Sequence, residues 1–189
     1  MTPPLTPSSL FREVQPLRSL WLWLVLLVSY GIVLGVLGWI SYHQLLLNQP
    51  IGNNPLPNGP LIGLTLAMAV LALISIVLVY RLRLIVEVHR DRLWVHFFPL
   101  SPWLFPSAQR TFSLAEIRDY QLRTYRPLRD YGGWGMRRSW RDRAYTVSGN
   151  QGVQISLHNS DVFLIGSQRA EELVDAIAIA IAQHQHESP

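Results

Sequence analysis

The sequence predicts a membrane protein of mixed α and β structure. A two-helix transmembrane hairpin should be followed by an antiparallel β-barrel or sandwich of about seven strands, capped by a C-terminal α-helix. Three observations predict it. Two long apolar runs without a charge lie within residues 1–80. Short strand-like segments then alternate with turn residues, and the chain closes on an amphipathic stretch of helical period. The expected division is a flexible segment over 1–18, the hairpin over 19–80 and a cytoplasmic domain over 81–189.

The first run, LWLWLVLLVSYGIVLGVLGWI, covers Leu20 to Ile40, and the uncharged stretch continues to Leu47. The second, LIGLTLAMAVLALISIVLVY, covers Leu61 to Tyr80. At about 1.5 Å per residue either helix can cross a hydrocarbon core of about 30 Å. Neither run carries the polar stripe of a soluble helix. The first is too long for a cleaved leader and is closely followed by the second, so both should be retained spans. Arg12 and Arg18 precede the first span, Arg81 and Arg83 follow the second, and the linker NQPIGNNPLPNGP is uncharged. Positive residues stay inside, so both termini should be cytoplasmic, in a bacterial plasma membrane or a cyanobacterial thylakoid. Trp21, Trp23, Trp39 and Tyr42 stand where interfacial aromatic belts belong. Gly31 and Gly35 form a small-xxx-small pair, which permits close helix approach either within the hairpin or between molecules.

Beyond the spans, RLRLIVEV and LWVHFF read as a β-hairpin turning at HRDR. LSPWLFPSAQ reads as a proline-bracketed loop with aromatics. SLAE has capping-box spacing from Ser113 to Glu116. IRDYQLRTY alternates imperfectly and reads as a strand, RPLRD as a turn, and YGGWGMRR as a strand broken by glycine. RAYTV, GVQISL and DVFLIG are short strands joined by the turns SGNQ and HNS. SQRAEELVDAIAIAIAQHQ begins with a Ser167 cap, carries acids early, and repeats Leu173, Ile177 and Ile181 at helical spacing.

About seven short strands followed by one helix resemble the pleckstrin-homology (PH) fold, in particular bacterial PH-like domains attached to short transmembrane hairpins. YGGWGMR, AYTVSGNQGVQISL and FLIGSQRAEEL resemble a bacterial family of small two-span proteins of unknown function. The layout, though no motif, is similar to the photosystem I assembly factor of cyanobacteria and chloroplasts. That similarity implies a role in assembly or stability of a larger membrane complex, photosynthetic complexes included.

Charge and strand direction suggest where such a domain binds. Residues 81–143 hold thirteen arginines against six acids, whereas residues 144–189 hold one arginine against five acids. All sixteen basic residues are arginine, which suits bidentate contact with phosphate or carboxylate. The first strand leaves the membrane and the second returns. Phe98, Leu100, Trp103, Leu104 and Phe105 should therefore form a loop at the bilayer surface. By the same count YGGWG is distal, and RRSWRDR lies near the membrane with Trp140 as an interfacial anchor among arginines facing anionic lipid.

The expected activity is non-enzymatic. The leading expectation is a scaffold that docks a membrane-protein partner, and the alternative is an anionic-lipid sensor. The candidate contacts are Arg90, Arg92, Arg123, Arg126, Arg129, Arg137, Arg138, Arg141 and Arg143, with Tyr131, Trp134 and Trp140 as aromatic anchors. The lipid bilayer itself is a partner; a nucleic-acid partner is not expected, since no binding signature accompanies the arginines. No cofactor is expected. No cysteine is present, which excludes disulfides and thiolate chemistry, and no phosphate-loop or nucleophile-elbow pattern occurs. His43, His89, His96 and His158 are scattered, and His184 and His186 stand near the C-terminus, so no metal is expected. The spans contain no ionisable carboxylate, lysine or arginine for an ion path, so an enzyme or transporter subunit is the least favoured reading.

Overall fold

The computed structural model describes residues 9–17, 19–103, 105–139 and 142–187, without the side chains of the last two. These residues divide into two compact units. One comprises residues 19–80, and the other joins the N-terminal segment to residues 81–189.

The smaller unit is a pair of helices, α1 (Leu20–Ser41) and α2 (Asn58–Arg81), both long and apolar enough to cross a membrane. Polar contacts pin them antiparallel: Tyr30 to Ser75 at 2.8 Å and Ser41 to Thr65 at 3.2 Å. A π-helical turn, Tyr42–Leu46, continues α1. It lets the Gln44 amide donate to the Leu56 carbonyl and to Asn58 Oδ1, closing the hairpin. Around this thin polar seam the exposed side chains are apolar, among them Leu24, Val28, Ile32, Leu73 and Ile74. The helix-approach glycines take no part in the seam. A methyl group at Gly31, Gly35 or Gly38 would meet nothing within 4 Å, so the pairing rests on hydroxyls and the Gln44 amide.

The larger unit begins earlier than expected. Ser9–Pro16, read from sequence as part of a flexible segment, is the strand β1. It pairs antiparallel with β2 (Arg83–His89), Pro16 standing opposite Arg83. β3 (Arg92–Phe98) and β4 (Gln109–Ser113) complete a four-stranded sheet of order β1-β2-β3-β4. β1 escapes a hydropathy reading because its inward positions are Phe11, Glu13 and Gln15, two of them polar. Most of those polar groups find partners, the exception being Gln15 Oε1, which is buried without one among the described residues. The Gln15 amide donates to the Gly166 carbonyl, while the Glu13 carboxylate accepts from the Ser167 hydroxyl and the Gln168 N–H.

The second sheet has the order β5-β8-β9-β7-β6, built from β5 (Ile117–Thr124), β6 (Gly135–Arg138), β7 (Arg143–Thr146), β8 (Gln151–Leu157) and β9 (Val162–Gly166). β7 and β9 run parallel, an arrangement no local turn signal announces. A methyl group on Gly152 would lie 2.4 Å from the Ile165 carbonyl oxygen, so the β8–β9 crossing requires glycine there. Neither sheet closes on itself among the described strands, so the two sheets form an open pair and not a closed barrel. Nine described strands replace the expected seven or so, because β1 and β4 add to the sequence count.

The segment after β5, read as a turn, is the short helix α3 (Pro127–Tyr131), ended by Gly132 in the left-handed region at φ 67°. The last helix, α4 (Ala170–Glu187), places Leu173, Ala176, Ile177 and Ala180 in the core. They share one hydrophobic cluster with Leu84, Val86, Val95 and Phe97 of the first sheet and Val153, Ile155, Phe163 and Ile165 of the second. The capping-box spacing at Ser113 yields only a 3-10 turn, Leu114–Glu116, with no side-chain cap from Ser113. Ser167 does accept the Arg169 N–H at 3.0 Å, at the head of α4.

Candidate functional site

The expected single arginine face resolves into separate places. Arg92 opens β3 and pairs with Asp91 in the turn that also holds Arg90. Phe98 closes the same strand, so these two arginines stand about 20 Å from the aromatic loop, at roughly 3.3 Å per residue. They share no site with it.

Arg123 serves the interior. Its guanidinium donates to Asp142 Oδ2 at 2.8 Å and to Gln154 Oε1 at 2.9 Å, and the Tyr131 hydroxyl donates to the same Asp142 oxygen at 2.7 Å. Asp142 and Tyr131 are buried. Arg129 and Asp130 border the same polar cleft of about 500 Å³. Burial and the adjacent Asp142 carboxylate push the Tyr131 hydroxyl far above its ordinary pKa. Arg123 and Tyr131 thus both bind the Asp142 carboxylate, which immediately precedes β7. Arg126 precedes α3, with its backbone N–H on Asp130. Trp134 is half-buried, and its indole N–H donates to the Gly149 carbonyl at 3.2 Å.

Arg137, Arg138 and Arg143 do come together, joined by Arg110, which sequence reasoning missed. The four arginines line one cleft of about 340 Å³ with Pro106, Ser107 and Tyr145. β4 contributes Arg110, and the β6–β7 hairpin contributes the rest. Arg138 stands directly opposite Arg143 in the antiparallel ladder, where like charges repel. Two of the guanidinium groups lie over the buried Phe163 ring, Arg110 at 5.4 Å and Arg143 at 5.6 Å from its centroid. Among the described residues no carboxylate lines the cleft and none of the four forms an ion pair. Arg137 Nε donates to the Trp134 carbonyl. Tyr145 is buried beside them, and burial raises its hydroxyl pKa although Arg110 and Arg143 oppose the shift. Arg110 had one weak signal in the sequence: RTF, between the proline loop and SLAE, is too short to show a period.

The aromatic loop lies where β3 ends. Trp103 is 87% exposed, Phe98 47% and Phe105 49%. Leu100 is partly buried against the core, and its carbonyl meets His96 Nε2 at 3.2 Å. Phe98 stands opposite Arg83, which stands opposite Pro16. The Leu17 N–H donates to the Leu82 carbonyl beside them at 3.0 Å. The loop therefore belongs to the sheet end where the chain leaves for α1 and returns from α2. Leu104, Trp140, Arg141 and the topology residue Arg18 lie outside the described residues. Among the described residues no His, Asp and Glu side chains cluster with metal-binding geometry.

Residues 1–184 match one family model, described as a family of unknown function (DUF6141). No curated protein matches the chain.

Proposed function

The chain belongs to the DUF6141 family of unknown function, and we propose, with no activity to inherit from it, that it is a non-catalytic, membrane-anchored surface-binding protein. On this reading α1 and α2 span the bilayer with both termini cytoplasmic, and the two-sheet unit engages the headgroup layer. The carrying observation is the place of the aromatic loop. Three exposed large apolar side chains, Phe98, Trp103 and Phe105, occupy the sheet end to which both helices connect. Those connections are short. One residue separates α2 from β2, and three separate β1 from α1. Aromatic side chains of this size are costly in water and at home at headgroup depth. A PH-like architecture is part of the proposal, supported by α4 in the core beside both sheets. A protein-docking scaffold drew on one continuous arginine face. The separation of Arg90 and Arg92, the engagement of Arg123 and the cleft of Arg137, Arg138 and Arg143 favour the membrane surface over it.

The absence of cysteine gives a direct test. A nitroxide at Trp103→Cys and another at Asp91→Cys, at the far end of the sheet, are compared in liposome-reconstituted protein. Position 103 should be more accessible to oxygen than to a water-soluble nickel complex, and position 91 the reverse. Equal aqueous access at both positions refutes the proposal.

A further inference from the structure

We propose that the cleft lined by Arg110, Arg137, Arg138 and Arg143 is a binding site for a phosphate group. The inference deepens the membrane-surface reading and rests on it only for the source of the phosphate.

Four guanidinium groups converge with no carboxylate among the lining residues. Gathering like charge without a counter-ion is unfavourable, most directly where Arg138 faces Arg143 across the ladder. The arrangement is nevertheless held in place. Arg110 and Arg143 come from different sheets, and each sets its guanidinium against the same buried Phe163 ring. Asp142 immediately precedes Arg143 at the start of β7. Arg123 and Tyr131 keep its carboxylate in the other cleft, away from the four arginines. The charged groups lining the site are therefore all guanidinium donors, accompanied by the Ser107 and Tyr145 hydroxyls. Planar guanidinium forks match the oxygens of phosphate. A volume of about 340 Å³ is near the lower limit of small-ligand sites and suits a phosphorylated headgroup or a free phosphate, not a large planar ligand. Pro106 and Ser107, which directly follow the aromatic loop, form one wall. A lipid phosphate would then enter beside inserted aromatic side chains.

The test uses the full chain in a zwitterionic detergent-free nanodisc of phosphatidylcholine. Inorganic phosphate and short-chain phosphatidic acid are titrated separately by calorimetry at low and high salt. Saturable binding that weakens with salt is expected, with a loss of about tenfold for each of Arg110→Gln, Arg137→Gln and Arg143→Gln. Tighter binding of phosphatidic acid than of phosphate assigns the site to a lipid headgroup, and equal binding assigns it to a soluble phosphate. Arg92→Gln, at the far sheet end, should change nothing, and near-ultraviolet circular dichroism checks that each variant is folded. No saturable binding by the native chain, or equal loss in Arg92→Gln, overturns the site. So does capture of a stoichiometric membrane protein that folded Arg137→Gln loses while phosphate binding is absent. Trp103→Ser should retain phosphate binding, so failure of the aromatic loop and failure of the cleft are read separately.

Discussion

Removing the Glu13 carboxylate should detach the head of α4 from the first sheet. Glu13 is 7% exposed, and its two oxygens take the Ser167 hydroxyl and the Gln168 N–H. Ser167 in turn accepts the Arg169 N–H. Glu13→Ala leaves the buried Ser167 hydroxyl and the part-buried Gln168 N–H without their acceptor. A hydrogen bond to a charged group is worth about 1.5–3 kcal/mol, and the recovered desolvation of the carboxylate offsets part of the pair. A net loss of about 3 kcal/mol follows, which lowers the melting temperature of a unit this size by roughly 10 °C. Ser167→Ala should cost about 1–2 kcal/mol, and the double variant should show a coupling of about 1 kcal/mol or more. The assay is thermal melting of detergent-solubilised full chain followed by near-ultraviolet circular dichroism, because α1 and α2 dominate the far-ultraviolet signal. A shift under about 2 °C for Glu13→Ala, or strict additivity with Ser167→Ala, would show that the contact does not hold β1 to α4.

Alkaline pH should destabilise the two-sheet unit through its tyrosines. Burial pushes Tyr125 up to about 12 and raises Tyr131 and Tyr145, so this stability is complete below pH 10 and is lost as pH rises from there through about 12. Phenolate absorbance from these three should appear only with unfolding, and their titration near pH 10 in an intact structure would contradict it. Replacing residues 18–81 by Asn-Gly should convert β1 and β2 into an ordinary hairpin, since Leu17 and Leu82 are already hydrogen-bonded. The product should fold without detergent and melt cooperatively, and a molten or aggregated product would show that the two-sheet unit needs its helices.

The elements that were legible in the sequence are those whose pattern is local. The two apolar runs, the β2–β3 hairpin and α4 each state their period in their own residues. β1 was hidden because its core positions carry Glu13 and Gln15, and the partners that justify them lie more than 150 residues away. The parallel β7–β9 pairing is equally non-local. β5 gave a mixed signal since most of its side chains are exposed, Leu122 among them. The arginine cluster was half visible. Arg137, Arg138 and Arg143 are adjacent in the chain, but Arg110 joins them only by the packing of β4 against Phe163. Arg123 and Tyr131 looked like exposed contacts because nothing local reveals that Asp142 claims both.

The insertion of the helices between two paired strands bears directly on how strong the phosphate site has to be. A domain appended by one flexible linker samples many orientations, whereas here the two connections start from neighbouring residues of one sheet end. On the membrane-surface reading, the aromatic loop and the cleft are tethered to the bilayer through those two connections. Binding then becomes intramolecular, and the effective ligand concentration is set by the tether, on the order of millimolar or more. A cleft of half-exposed arginines that captures soluble phosphate only weakly would still be filled in a membrane rich in anionic lipid. Exposed guanidinium groups without acidic partners make sense in that setting: affinity is supplied by attachment, and the cleft is left to select phosphate from the zwitterionic surface around it.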